Sequence, residues 1–173
     1  MATTGSYNTA VGKAALHLAT TCANATAVGY NALYNITTGS FNTAVGDQAL
    51  EAITTAQYCT AVGRQALTQQ NSTGQNDAFG NRAGYSVTTG HMNTLVGNHA
   101  GYNLTTGDGN TAVGRYTIGD GGGSGTNCTG NNNTVIGYYA GTQLSTGSNN
   151  VALGGYALDA NTTAPGNLSL IHI

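Results

Sequence analysis

Very little of this sequence is charged: four Lys or Arg and six Asp or Glu stand among 173 residues, for a net charge of −2. Such a chain offers no basic field for nucleic acid and no acidic tail. Trp is missing, and Pro165 is the single proline. No apolar run approaches the ~18 residues of a membrane span, so no membrane insertion is expected. Met1-Ala-Thr-Thr-Gly-Ser-Tyr7 lacks the apolar core of a signal peptide; any export would use another route or a signal outside this stretch.

Cysteine is sparse and odd in number: Cys22, Cys59 and Cys128. Cys22 and Cys59 stand about two repeats apart, roughly 10 Å at β spacing, too far for a disulfide. The expectation is three buried small residues, with an intermolecular bridge through Cys128 as the alternative. Catalytic pairings are missing too. His17, His91, His99 and His172 are dispersed, and the six acids form no pair at metal or acid–base spacing. No enzyme activity, cofactor or metal is expected. Gly119-Asp-Gly-Gly-Gly-Ser-Gly125 looks superficially like a phosphate loop or a calcium repeat. It lacks the Lys-Ser/Thr of the first and the iterated Asp of the second, and reads as a bulge.

What the chain does have is a repeat. Asn8-Thr-Ala-Val-Gly12 returns as Asn42-Thr-Ala-Val-Gly46, Asn93-Thr-Leu-Val-Gly97 and Asn110-Thr-Ala-Val-Gly114, and with small changes in every other unit. The units begin at residues 8, 25, 42, 59, 76, 93, 110, 133 and 150, always 17 apart except for one interval of 23. That longer interval contains an insertion within 119–132, and partial coils stand at both ends. A short fixed period marks a solenoid, in which each unit buries its apolar side only against its neighbours. Low complexity with low charge can also mean disorder, but a Val, Ile, Leu or Phe before every repeat glycine argues for structure.

The expected fold is therefore all-β, a single repeat domain over 1–173 forming a parallel β-solenoid or β-roll of nine to ten 17-residue coils. Asn-Thr-Ala-Val-Gly reads as a short strand in which Thr and Val share a side. The following glycine reads as a corner needing positive φ. A second strand is expected from the alanine after it to the apolar twelfth position (Ile36, Ile53, Val87, Leu104, Leu144), with Thr-Thr-Gly as the second corner. Stacked asparagines are expected to form a hydrogen-bonded ladder, broken where Ala25 and Cys59 replace Asn. Val and the twelfth residue are assigned to the interior with Thr beside Val. The strand alanine and Leu16, Leu33, Leu50, Leu67 and Leu158 are then an outward stripe that calls for a partner.

Asn-Thr-Ala-Val-Gly-Tyr-x-Ala-Leu followed by Thr-Thr-Gly-Ser, best seen from Tyr30 to Asn42, resembles the repeat arrays of bacteriophage tail-fibre proteins. It is similar as well to the head repeats of trimeric autotransporter adhesins. The resemblance covers nearly the whole chain and implies a shaft or head segment, extracellular or on a virion surface, wound as a homotrimer. The adhesin unit is nearer fourteen residues, so seventeen departs from it.

Several residues carry more specific expectations. Tyr116, Tyr139 and Tyr156 share a repeat phase, as do Tyr34, Tyr85 and Tyr102, and Tyr7, Phe41 and Tyr58. Such rows either stack on one another or present rings to cell-surface glycans. Sequons begin at Asn24, Asn35, Asn71, Asn103, Asn127, Asn132, Asn161 and Asn167, with Asn35 and Asn103 at one phase and first in order. The apolar C-terminal run, with Leu170, Ile171 and Ile173, starts another coil and is assigned to an end-to-end contact that would build a filament. The function expected is a non-enzymatic fibrous or adhesive element that trimerises or polymerises head to tail. The alternative is ice binding by Thr ladders, which requires the Thr row to face solvent.

Overall fold

The computed structural model describes residues 4–71, 74–119 and 127–170. Ten three-residue strands, one per coil, follow one another along the chain: β1 (Thr9–Val11), β2 (Thr26–Val28), β3 (Thr43–Val45), β4 (Thr60–Val62), β5 (Asp77–Phe79), β6 (Thr94–Val96), β7 (Thr111–Val113), β8 (Thr134–Ile136), β9 (Val151–Leu153) and β10 (Leu168–Leu170). They form one parallel sheet in sequence order. The chain is a β-solenoid of about nine turns, and no helix occurs among the described residues. Like residues sit opposite like: Thr26 faces Thr43, Ala27 faces Ala44 and Val28 faces Val45. Across the longer interval Thr111 still faces Thr134, so the extra residues leave the register intact.

The expected second strand does not form. After the repeat glycine the backbone runs through turns, and its hydrogen bonds still point along the rod. In the third coil Gln48 donates back to Tyr30 at 2.8 Å, while Leu50 donates forward to Ala66 at 3.0 Å. Left-handed residues alternate with ordinary ones there: Gln48 has φ 57° and Leu50 φ 50°. This zigzag bends seventeen residues into a narrow loop while keeping every coil bonded to both neighbours. The glycine corner behaves as expected. Gly46 has φ 138°, and a Cβ there would collide with the Gly63 carbonyl one coil on.

The assignment of inside and outside is the main correction. The strand alanines Ala27, Ala44 and Ala61 are fully buried, as are Leu33, Leu50 and Leu67; Leu16 is nearly so, and Leu158 packs against the core. Thr and Val do share a side, but that side faces out: the strands read half-buried, buried, half-buried at Thr, Ala and Val. The reason is volume. The left-handed ninth position swings its Leu across the coil to meet the strand, and only a small residue fits opposite. The twelfth position does point in, as assigned: Ile36, Ile53, Val87, Leu104 and Leu144 are fully buried.

The same volume rule explains the exceptions. Leu95 takes the place of the strand alanine in β6, and the ninth position is then Gly101 in that coil and Gly84 in the one before. A Cβ on either glycine would run into the Leu95 side chain, at 2.7 Å for Gly84 and 2.9 Å for Gly101. Val135 and Gly141 repeat the exchange two coils on, with a Cβ at Gly141 only 3.2 Å from Val135.

Asparagine forms the buried polar row. From Asn76 through Asn93, Asn110, Asn133 and Asn150 to Asn167, each Oδ1 accepts from the next backbone N–H, at 2.8–3.0 Å. Each Nδ2 donates back to the preceding Oδ1. Asn76 has no asparagine below it, because Cys59 stands there. Its spare N–H instead meets Gln70 Oε1 at 2.8 Å. Gln70 occupies the twelfth position, where other coils hold Ile, Val or Leu, and its own Nε2 is buried with no hydrogen-bond partner.

Candidate functional site

Three surfaces carry side chains that are not used in the core. The first is the outward face of the sheet, two parallel ranks with Thr or its substitute in one and Val or its substitute in the other. Stacking at ~4.8 Å makes the face about 43 Å long from β1 to β10, with the ranks about 7 Å apart. Asp77 is its only charged residue. Its apolar members are most exposed on the end strands, Val11 57%, Leu168 69% and Leu170 64%; Phe79 at 42% and Leu153 at 49% are also exposed, while Val28, Val45, Val62 and Val113 are half-buried. The Thr row therefore faces solvent, and the stripe assigned to Ala and Leu does not exist.

The second surface is an aromatic ridge on the turns. Tyr85 and Tyr102 stack with centroids 5.1 Å apart and planes 7° from parallel. Tyr139 and Tyr156 stack at 5.6 Å and 7°, and Tyr116 leans on Tyr139 at 4.9 Å. His99 joins the two groups, 4.7 Å from Tyr102 and 5.4 Å from Tyr116. The histidines are dispersed by spacing, but phase singles out His99, which stands one repeat before Tyr116. Arg82 lies over Tyr85 at 5.8 Å, and Arg115 over Tyr116 at 4.3 Å while donating to its hydroxyl. Smaller stacks pair His17 with Tyr34 and Phe41 with Tyr58.

In the parallel stacks the rings meet face to face, and the Tyr139 hydroxyl is hydrogen-bonded with that of Tyr138. Mutual stacking is seen at Tyr85–Tyr102, Tyr139–Tyr156 and Phe41–Tyr58, while Tyr116 meets Tyr139 at a 46° tilt. Desolvation, and then the neighbouring Tyr138 and Tyr116, hold the Tyr139 phenol above its ordinary pKa.

The third surface is a set of polar ladders on the third to sixth coils. Gln65 donates to Gln48 at 2.8 Å, Arg82 donates to Gln65 at 2.8 Å, and Arg64 meets Asp47 at 3.3 Å. His91 and Asp108 form a similar rung, Nδ1 to Oδ1 at 2.8 Å.

The sequon asparagines divide by geometry. Asn35 and Asn103, placed first by phase, use their attachment nitrogens within the stack: Asn35 Nδ2 donates to the Glu51 carbonyl at 2.9 Å and Asn103 Nδ2 to Gly119 at 2.6 Å. Asn167 Nδ2 belongs to the asparagine ladder, and Asn161 Nδ2 reaches Ala164 at 3.4 Å. Asn24, Asn71, Asn127 and Asn132 are exposed. Leu170 lies on β10, whose outer edge is unpaired among the described residues. Ile171, Ile173 and residues 120–126 of the glycine-rich bulge lie outside the described residues.

Cys22, Cys59 and Cys128 are buried free thiols. Burial raises all three above their usual range, Cys128 to about 11. Among the described residues no three His, Cys, Asp or Glu side chains gather to hold a metal ion, and no helix is long and apolar enough to cross a membrane.

Compared with protein-family models, curated proteins and solved structures, the chain matches none.

Proposed function

We propose that this chain is a non-enzymatic fibre element, a shaft or head segment whose outward sheet face packs against copies of itself in a homotrimer outside the cell or on a virion surface. The observation that carries this reading is the sheet face: two straight ranks, nearly without charge, bearing exposed Val, Leu, Ile and Phe. By its length and width the strip covers about 300 Å², in the range of the largest surface patch on a typical soluble monomer, which is often functional. Copies of a repeat protein have the same spacing, so their ranks interdigitate along the whole strip without a specific register. Repetition also gives multivalent contact, so weak rungs add to a firm seam. The turns, with the aromatic ridge, then face outward for contact with other molecules, cell-surface glycans among them.

Light scattering on a size-exclusion column tests this reading. A three-chain mass is expected, and an unbroken monomer at high concentration overturns it. Negative stain of the same fractions tests the head-to-tail alternative, in which the unpaired edges of β1 and β10 join chains into filaments of uniform width.

A second reading, ice binding, is favoured by one observation: the Thr row faces solvent at even spacing. A freezing-hysteresis assay decides it, and loss of the effect in Thr60→Leu would place the activity on this face.

A further inference from the structure

The tyrosine ridge holds a chemical possibility that neither packing nor adhesion uses. We propose that Tyr85–Tyr102 and Tyr139–Tyr156 are sites of oxidative tyrosine coupling, each pair forming a dityrosine bond that joins one coil covalently to the next. The partners are seventeen residues apart in sequence, yet their rings lie parallel at 5.1 and 5.6 Å; Tyr139 is nearer to Tyr138 at 4.5 Å and Tyr116 at 4.9 Å, but those rings meet it at 83° and 46°. The solenoid fixes that separation, because each pair occupies the same phase on successive coils. Tyr85, Tyr102 and Tyr139 are half-buried and Tyr156 is exposed, so an oxidant can approach each ring from solvent.

The co-reactant is hydrogen peroxide used by a haem peroxidase, or an equivalent one-electron oxidant. Each phenol gives up one electron and its hydroxyl proton, leaving a phenoxyl radical with spin at the carbons ortho to oxygen. Two such radicals couple through one ortho carbon each. The hydrogens displaced from those carbons return to the two oxygens and restore the phenols. The pair has lost two electrons and two protons, which reduce one hydrogen peroxide to two waters. Prior alignment turns an encounter between dilute radicals into a step within one molecule, which is where effective concentrations are largest.

The molecule contains its own controls. Tyr58 stacks on Phe41 and Tyr34 on His17, pairs of similar spacing in which one partner has no phenol. Tyr7 and Tyr30 have no stacked ring partner among the described contacts.

The test is peroxidase and peroxide treatment of the full chain at high dilution, followed by dityrosine fluorescence and peptide mapping. The expected products link Tyr85 to Tyr102 and Tyr139 to Tyr156 within single chains, each with the loss of two hydrogens. Tyr102→Phe keeps the stacked ring and should abolish the first link while leaving the second. Tyr156→Phe should do the reverse. Treated chains should also unfold at a higher denaturant midpoint than untreated ones. The proposal is overturned if links join separate chains only, if Tyr7, Tyr30, Tyr34 and Tyr58 are used as often as the ridge pairs, or if no dityrosine forms under conditions that couple free tyrosine.

Discussion

Left-handed backbone at ordinary residues is the feature that defines this coil. Leu33, Leu50 and Leu67 sit at φ 50–52°, and even the β-branched Ile118 is held at φ 49°. Each such residue costs of the order of 1–2 kcal/mol against its relaxed geometry. The stack accepts that cost because the left-handed position aims a large side chain into the core. Gly46 is different, since its φ of 138° is coupled to a close approach of the next coil. Gly46→Ala should therefore destabilise the chain by at least about 3 kcal/mol, measured as a denaturant midpoint. The cysteines give a second prediction at this scale. A buried thiol whose pKa is raised keeps its proton when the unfolded chain has lost it. Its contribution is present below the ordinary value of 9.0 and is lost as pH rises toward about 11 at Cys128. Stability should fall across that window by up to about 1.4 kcal/mol per pH unit for that group. Cys128→Ala should remove its share of the slope.

At the scale of the element, the interior works as a fixed volume shared between strand and turn. Leu95→Ala should cost about 2–5 kcal/mol by leaving a cavity. Gly101→Leu in the native background should cost about 1–3 kcal/mol by overpacking. Combined, the two should recover part of the loss, because the double variant restores the Ala-and-Leu pair within that coil while Gly84 in the coil before stays without a side chain. Chemical denaturation of all four chains closes the cycle, and strict additivity would refute the shared-volume account. Gln70 and Cys59 form a similar pair, one side chain standing in for a gap left by the other.

How much of this was legible in the sequence differs by element. The period, the parallel in-register stacking, the glycine corner and the asparagine ladder follow from spacing and residue type. Inside and outside did not, although the clues were present. Asn42 and Ala44 share a parity, so a buried asparagine row requires buried alanines. Asp77 stands in the Thr rank, where a buried carboxylate would have no partner. The preference of Val for cores outweighed both clues, because nothing in the strand alone reveals that a leucine arrives from the turn. The turn that replaces the expected second strand is hidden for a related reason. Alternating left- and right-handed residues leave no mark in hydrophobic periodicity when the left-handed ones are leucine and glutamine rather than glycine. The tyrosine rows were visible by phase; the bridging His99 was visible only once phase was applied to histidine too.

At the scale of the whole molecule, the sheet face and the ridge lie on different sides of each coil. Val62→Arg places a charge on the face without touching the core. If three chains meet there, each copy brings its charge into the seam, at a cost of several kcal/mol. The variant should then run as a monomer while its circular dichroism and unfolding midpoint stay close to the parent's. A trimer that survives the substitution would move the seam elsewhere.

The undisturbed pairing of Thr111 with Thr134 has a wider consequence. The stack recognises its strands and is indifferent to how much chain passes between two of them at that corner. Length and decoration are thus separate genetic variables in such a rod. Duplicating a unit lengthens it by one step of about 4.8 Å without redesign of the cross-section. Lengthening one corner hangs new sequence on the side and leaves the ruler unchanged.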